Sequence, residues 1–259
     1  MKIPTLLLSW LFMVLFLVSS NALAVQGPVV WFDQGHGQAF RIDKEGPLHL
    51  GDFADFMVER GVSLRGGSGA LTADLLKTLD GLIIAGPFKS LQAEEVNAVK
   101  GFLKEGGRLV ILLHIAPPLK NLLHPLGVDF SNGVIREQQG VIEGEPLNFS
   151  VTDLDSHLLF KDLQAFHLYG GWALQAFSEK TAIIARTSSL SWIDLNGNKQ
   201  LDKGDARQAF GVVASGTHGD GQFLVFADDA IFQNQFFSGN RALAANLAVW
   251  LSPGEKENP

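Results

Sequence analysis

Asp33 and His36 close an apolar run, Val29-Val30-Trp31-Phe32, and share one short turn, Asp33-Gln34-Gly35-His36-Gly37. A carboxylate beside an imidazole is the smallest set that can do general acid–base work or hold a metal. The two glycines let the chain bend sharply and bring main-chain N–H groups near a ligand. Two further groups of this kind lie downstream. His114 ends the very apolar run at residues 108–114, and Asp228 follows the run at 222–227, with Asp229 beside it. If these runs are neighbouring strands, Asp33, His36, His114 and Asp228 could converge on one sheet edge as candidate catalytic residues. The plainer use of each is local: aspartates cap turns and helices, and a histidine bonds to nearby main chain. His157, His167 and His218 stand alone and read as surface or packing residues.

A second pattern is metal-like. Residues 194–205 run Asp-Leu-Asn-Gly-Asn-Lys-Gln-Leu-Asp-Lys-Gly-Asp. Oxygen side chains fall at loop positions one, three, five, nine and twelve: Asp194, Asn196, Asn198, Asp202 and Asp205. The Gln200 carbonyl can add another oxygen. Calcium takes six to eight hard oxygen ligands, and this spacing wraps them around one ion. Lys199 stands where an EF-hand has glycine, and Asp205 where it has the bidentate glutamate. The segment resembles the isolated calcium loops of dockerin and thrombospondin repeats, which makes structural Ca2+ the expected cofactor. The competing reading is a polar hairpin loop without an ion.

The elements that must position these residues alternate. Apolar strand-like runs at 29–32, 62–65, 81–85 and 108–114 are separated by helix-like periodicity. One helix spans about 48–60 and stops at Gly61; another is brief and capped by Thr72. A third starts near Ser90 and stops at Gly106-Gly107. This order predicts an α/β fold, a doubly wound and mostly parallel sheet of flavodoxin-like plan, with residues 29–32 near its centre. Residues 131–180 read as a β-rich excursion of short strands. Strand-like runs return at 181–186, 190–193, 209–215 and 222–227, and a terminal helix covers about 240–251.

Composition sets the bounds. Lys2 precedes an apolar run to about Val18, and Ala22-Leu23-Ala24 is a small-x-small cleavage pattern. Residues 1–24 therefore predict a signal peptide, export to the periplasm or beyond, and a mature start at Val25. No later stretch is expected to span a membrane. Residues 25–252 make one domain, and 253–259 a polar tail. The chain has no cysteine, which removes thiol catalysis and thiolate metal sites. A formal charge of −7 argues against nucleic acid or an anionic membrane surface as a partner.

Several motifs together resemble exported bacterial and archaeal proteins of an uncharacterised family with a class I glutamine-amidotransferase-like fold. They are the Asp-x-x-His-Gly turn (Asp33, His36, Gly37), the strand ending Gly86-Pro87, and the helix ending Gly106-Gly107. To these add Trp192-x-Asp194-x-Asn196-Gly197 and the closing Asp228, Phe232, Asn234, Trp250 and Leu251. Gliding-motility auxiliary domains and intraflagellar-transport relatives share that plan. The resemblance implies an amidotransferase-like sheet, yet the nucleophile position reads Leu113-His114-Ile115-Ala116-Pro117. No Gly-x-Ser-x-Gly elbow occurs either.

The expectation is thus a non-enzymatic exported binding or scaffold module, with an unidentified protein or glycan partner in the cell envelope. A hydrolase using Asp33, His36 and Asp228 around a metal or water is the alternative. A carbohydrate- or peptide-binding accessory protein, with Trp31, Trp172 and Trp192 as stacking faces, is a third.

Overall fold

The computed structural model describes residues 27–252; the expected signal peptide (1–24) and polar tail (253–259) lie outside them. The first half alternates strands and helices: β1 (Val29–Asp33), α1 (Gly51–Glu59), β2 (Ser63–Gly67), α2 (Ala73–Leu76), β3 (Gly81–Ala85), α3 (Ala93–Lys104), β4 (Arg108–Leu112) and α4 (Lys120–Leu123). The second half is almost all strand. It holds β5 (Val128–Arg136), β6 (Val141–Ile142), β7 (Glu145–Val151), β8 (Asp153–Leu154), β9 (Phe166–Tyr169) and β10 (Trp172–Ala176). There follow β11 (Thr181–Arg186), β12 (Trp192–Ile193), β13 (Ala206–Arg207), β14 (Gly211–His218), β15 (Gly221–Phe226) and the closing helix α5 (Asn234–Leu251).

Twelve of the strands form one mixed sheet in the order β13-β12-β5-β10-β14-β15-β4-β3-β1-β2, with β11 branching from β14 and β8 pairing with β11. This overturns the expected doubly wound, mostly parallel sheet. Only β2, β1, β3, β4 and β15 run parallel to one another; every other pairing is antiparallel. The physical cause sits between β14 and β15. Only Gly219 and Asp220 separate them, so the chain folds back as a hairpin, whereas a parallel neighbour needs a crossover of a dozen residues or more. Gly219 supplies the positive φ, +65°, that the tight turn requires. β1 is also not central: it lies one strand in from an edge, covered by β2. Within 131–180, β5 and β10 join the large sheet, while β6, β7 and β9 make a separate three-stranded sheet.

β3 and β4 are buried throughout, as their unbroken apolar sequence requires, and all of β15 except Gln222 is buried with them. α1 packs on α5 through Phe53 and Phe56, which meet Phe232 and Phe237 at ring distances of 4.6–6.3 Å. α3 begins at Ala93 rather than near Ser90, because the Glu95 carboxylate reaches back to the Gln92 N–H at 2.8 Å. The parallel strands end together on one side, and their carboxyl ends carry the titratable groups.

Candidate functional site

The turn after β1 is closed on itself. His36 Nδ1 lies 2.7 Å from Asp33 Oδ2, and its Nε2 lies 3.1 Å from both oxygens of Glu95 at the start of α3. Carboxylates only accept, so both ring nitrogens donate and the ring is an imidazolium. The bond to Asp33, working against burial and helped by Glu95, pushes His36 up to about 9. Burial alone would raise the Glu95 carboxyl. Bonds from the Gln92 N–H, His36 and the Leu71 N–H instead hold it below the usual range. Gln38 completes the cage, donating to Asp33 Oδ2 at 2.5 Å and accepting from the His36 N–H at 2.7 Å. A ring with both nitrogens spent has no lone pair for a metal or for a substrate proton.

The second cluster spans the ends of β4 and β15. His114 Nδ1 sits 3.1 Å from Asp229 Oδ1, and this bond, opposed by burial and supported by the charges of Asp229 and Asp228, raises the imidazole. Asp228 points elsewhere: its oxygens accept from the Tyr169 N–H at 2.6 Å and the Ala230 N–H at 2.8 Å. Burial and the neighbouring Asp229 push Asp228 up to about 7 despite those bonds. So Asp228 shares no hydrogen bond with the Asp33–His36 pair. The residues 86–89 run between the two clusters, with the Phe88 and Lys89 N–H groups donating to the His36 carbonyl at 3.0 and 2.9 Å.

Glu95 and Asp229 are the site residues that motif reading passed over. Glu95 left a trace, since Gln92-x-x-Glu95 has the spacing of a helix-start box. Which of Asp228 and Asp229 meets His114 depends on the phase of the chain as it leaves β15.

In the 194–205 loop the expected ligand side chains are engaged in hydrogen bonds within the loop. Asp194 accepts the Gly197 and Lys199 N–H groups, both at 2.7 Å, and Asp205 accepts those of Leu195 and Asp202. Asn196 and Asn198 donate to the same Asp202 oxygen at 2.7 and 2.8 Å, while their own carbonyls accept the Asn198 and Gln200 N–H groups. The carboxylates are thus met by N–H groups. Among the described residues no three His, Asp or Glu side chains are arranged to hold a metal. An ion here would have to replace part of that network.

Beside this loop the sheet forks. On its edge away from β15, β14 serves two neighbours, since Gly211 pairs with Leu174 of β10 and with Arg186 of β11. A Cβ at Gly211 would lie 2.7 Å from the Leu174 carbonyl, so the fork requires glycine. The fork opens into a groove of about 540 Å3 whose lining includes Phe130, Gln175, Ile183, Leu195, Gln208 and Phe210. Leu195, 57% exposed, carries the calcium-type loop into its wall. Of the three expected stacking tryptophans, Trp192 is buried, Trp31 packs on Gly67, and the Trp172 indole N–H donates to the His114 carbonyl at 2.9 Å. No helix of the described residues is long and apolar enough to cross a membrane.

Residues 44–248 match the family model described as Domain of unknown function (DUF4350). No curated protein matches the chain. Among solved structures, the mmIFT52 N-terminal domain is similar over 88% of this chain and 100% of that one, at 17% identity and a TM-score of 0.67. A cytoplasmic protein of Salmonella typhimurium LT2, STM1381, is similar over 86% of this chain and 99% of its own, at 15% identity and a TM-score of 0.55. At such identities the likeness is one of fold.

Proposed function

The chain belongs to the DUF4350 family, a domain of unknown function, and from its geometry we propose that it is an exported binding or scaffold module. The observation that carries this reading is the groove at the sheet fork. Apolar side chains (Phe130, Ile183, Leu195, Phe210) line it together with the amides of Gln175 and Gln208. That mixture suits an extended peptide, whose main chain pairs with amides and whose side chains fill apolar hollows. The one charged residue of the lining, Arg186, is already held by Asp155 at 3.0 Å and by the Ile183 carbonyl. Acid–base hydrolysis at β1 finds less support, because the imidazole it needs is bonded at both nitrogens.

The reading includes structural calcium at Asp194, Asn196, Asn198, Gln200, Asp202 and Asp205. Calcium would order the loop that carries Leu195, and so shape one wall of the groove.

Arrays of envelope peptides and glycans test the proposal with the mature chain. Saturable binding to extended peptides is expected, weakened at least tenfold in Leu195→Asp and unchanged in His36→Gln. Absence of saturable peptide binding overturns the reading. So does hydrolytic turnover that Asp33→Asn abolishes while the protein stays folded.

A further inference from the structure

The groove leaves the His114 cluster unused, although this cluster lies where parallel strands present ligands, at the carboxyl ends of β3, β4 and β15. Asp229 fixes its polarity. That carboxylate is buried, and its Oδ2 has no hydrogen-bond partner. A Cβ at Gly86 would collide with this oxygen, so the glycine, at φ +54°, leaves room for it. A buried carboxylate so poorly satisfied is costly unless a positive donor faces it. Asp229 therefore holds the Nδ1–H of His114 inward. The ring's other nitrogen is left toward solvent, on a side chain 36% exposed and with no hydrogen bond to Nε2 among the described residues.

Two phenyl rings flank the imidazole. Phe40 meets the imidazole edge-on with centroids 5.1 Å apart, and Phe88 meets it tilted at 5.2 Å. Phe88 is 44% exposed, a large apolar surface left in water beside the imidazole. Behind the ring, the bond from the Trp172 indole N–H to the His114 carbonyl holds the backbone. We propose that His114, backed by Asp229 and flanked by Phe40 and Phe88, is a second binding site, one that takes a small carboxylate bearing an apolar or aromatic group.

Each half of the ligand answers one half of the site. A bare anion would use the Nε2–H donor but leave the phenyl rings in water. A wholly apolar ligand would cover the rings and strand the donor without a partner. A carboxylate adds a charge-assisted hydrogen bond, while its apolar portion removes ring surface from water. The hydrogen bond to Asp229, working against burial, raises the imidazole and favours its protonated form, which repels a cation.

Proton NMR of the His114 ring in the folded mature chain tests this directly. The probes are phenylacetate, acetate and benzyl alcohol. Phenylacetate should shift the ring resonance saturably, with acetate and benzyl alcohol each about tenfold weaker, the loss of one recognition element. His114→Gln should remove phenylacetate binding, read from the amides of Phe88 and Lys89. Phe88→Ala, a change at the surface, should weaken it about fivefold, close to 1 kcal/mol. Leu195→Asp, in the separate groove, should leave it unchanged. The proposal fails if wild type shows no saturable shift, if acetate binds as tightly as phenylacetate, or if His114→Gln binds as wild type does.

Discussion

His36 and Asp228 make the fold lose stability as pH rises, in two different windows. His36 rises from its ordinary 6.5 to about 9 in the folded chain, so its stabilisation is complete below 6.5 and is lost as the pH passes through 9. Asp228 rises from 3.8 to about 7; the fold prefers it protonated, and that contribution is present below 3.8 and lost between 3.8 and 7. Urea midpoints measured from pH 4 to 10 should therefore fall in two steps. Asp228→Asn should flatten the lower step and His36→Gln the upper. His36→Gln should also cost about 3 kcal/mol near neutrality, since it leaves Asp33 and Glu95 buried without their cation. A flat profile in wild type would contradict both assignments. At this scale the sequence shows pairs that are close along the chain: Asp33 and His36 are three residues apart and do meet. Glu95 meets the same ring from 59 residues away, and only the tertiary packing of α3 against the β1 turn brings it there.

Among the elements, the β14–β15 hairpin decides the architecture. Its turn was legible: Gly219-Asp220-Gly221 lies between two apolar runs, a pattern that marks a hairpin. The strong strand–helix alternation of residues 29–114 favoured a parallel plan, and that plan fails where the helices stop. Gly219→Val should test the turn. It forces a β-branched residue to φ +65°, with its Cβ 2.5 Å from the Lys104 Cα, and should destabilise by more than about 1 kcal/mol in chemical denaturation. Millimolar calcium should raise the melting temperature of wild type but not of Asp194→Ala. Because Asp194 also accepts two main-chain N–H groups, the variant should melt somewhat earlier even without calcium. The pattern of oxygens could be read from spacing; their engagement with N–H groups depends on how the loop closes, which spacing does not encode.

For the whole molecule, the likeness to the mmIFT52 N-terminal domain fixes a shared fold and leaves function to the sites grafted on it. The sheet also has a mechanical consequence, set by the fork at Gly211. β14 and β15 share load over six residue pairs, from Val213↔Phe226 to His218↔Gly221. β10 is tied to β14 through the single pair Leu174↔Gly211, and one more main-chain bond runs from the Trp172 N–H to the Ala227 carbonyl just past β15. Tension drawn across the sheet, with handles on β5 and β15, should part this seam before any other. Single-molecule pulling between those strands should record a small early extension before the main rupture, and a single cooperative rupture would contradict it. The seam borders the groove, so a partner bound there would act as a rivet, and the force needed to open the seam would report its presence.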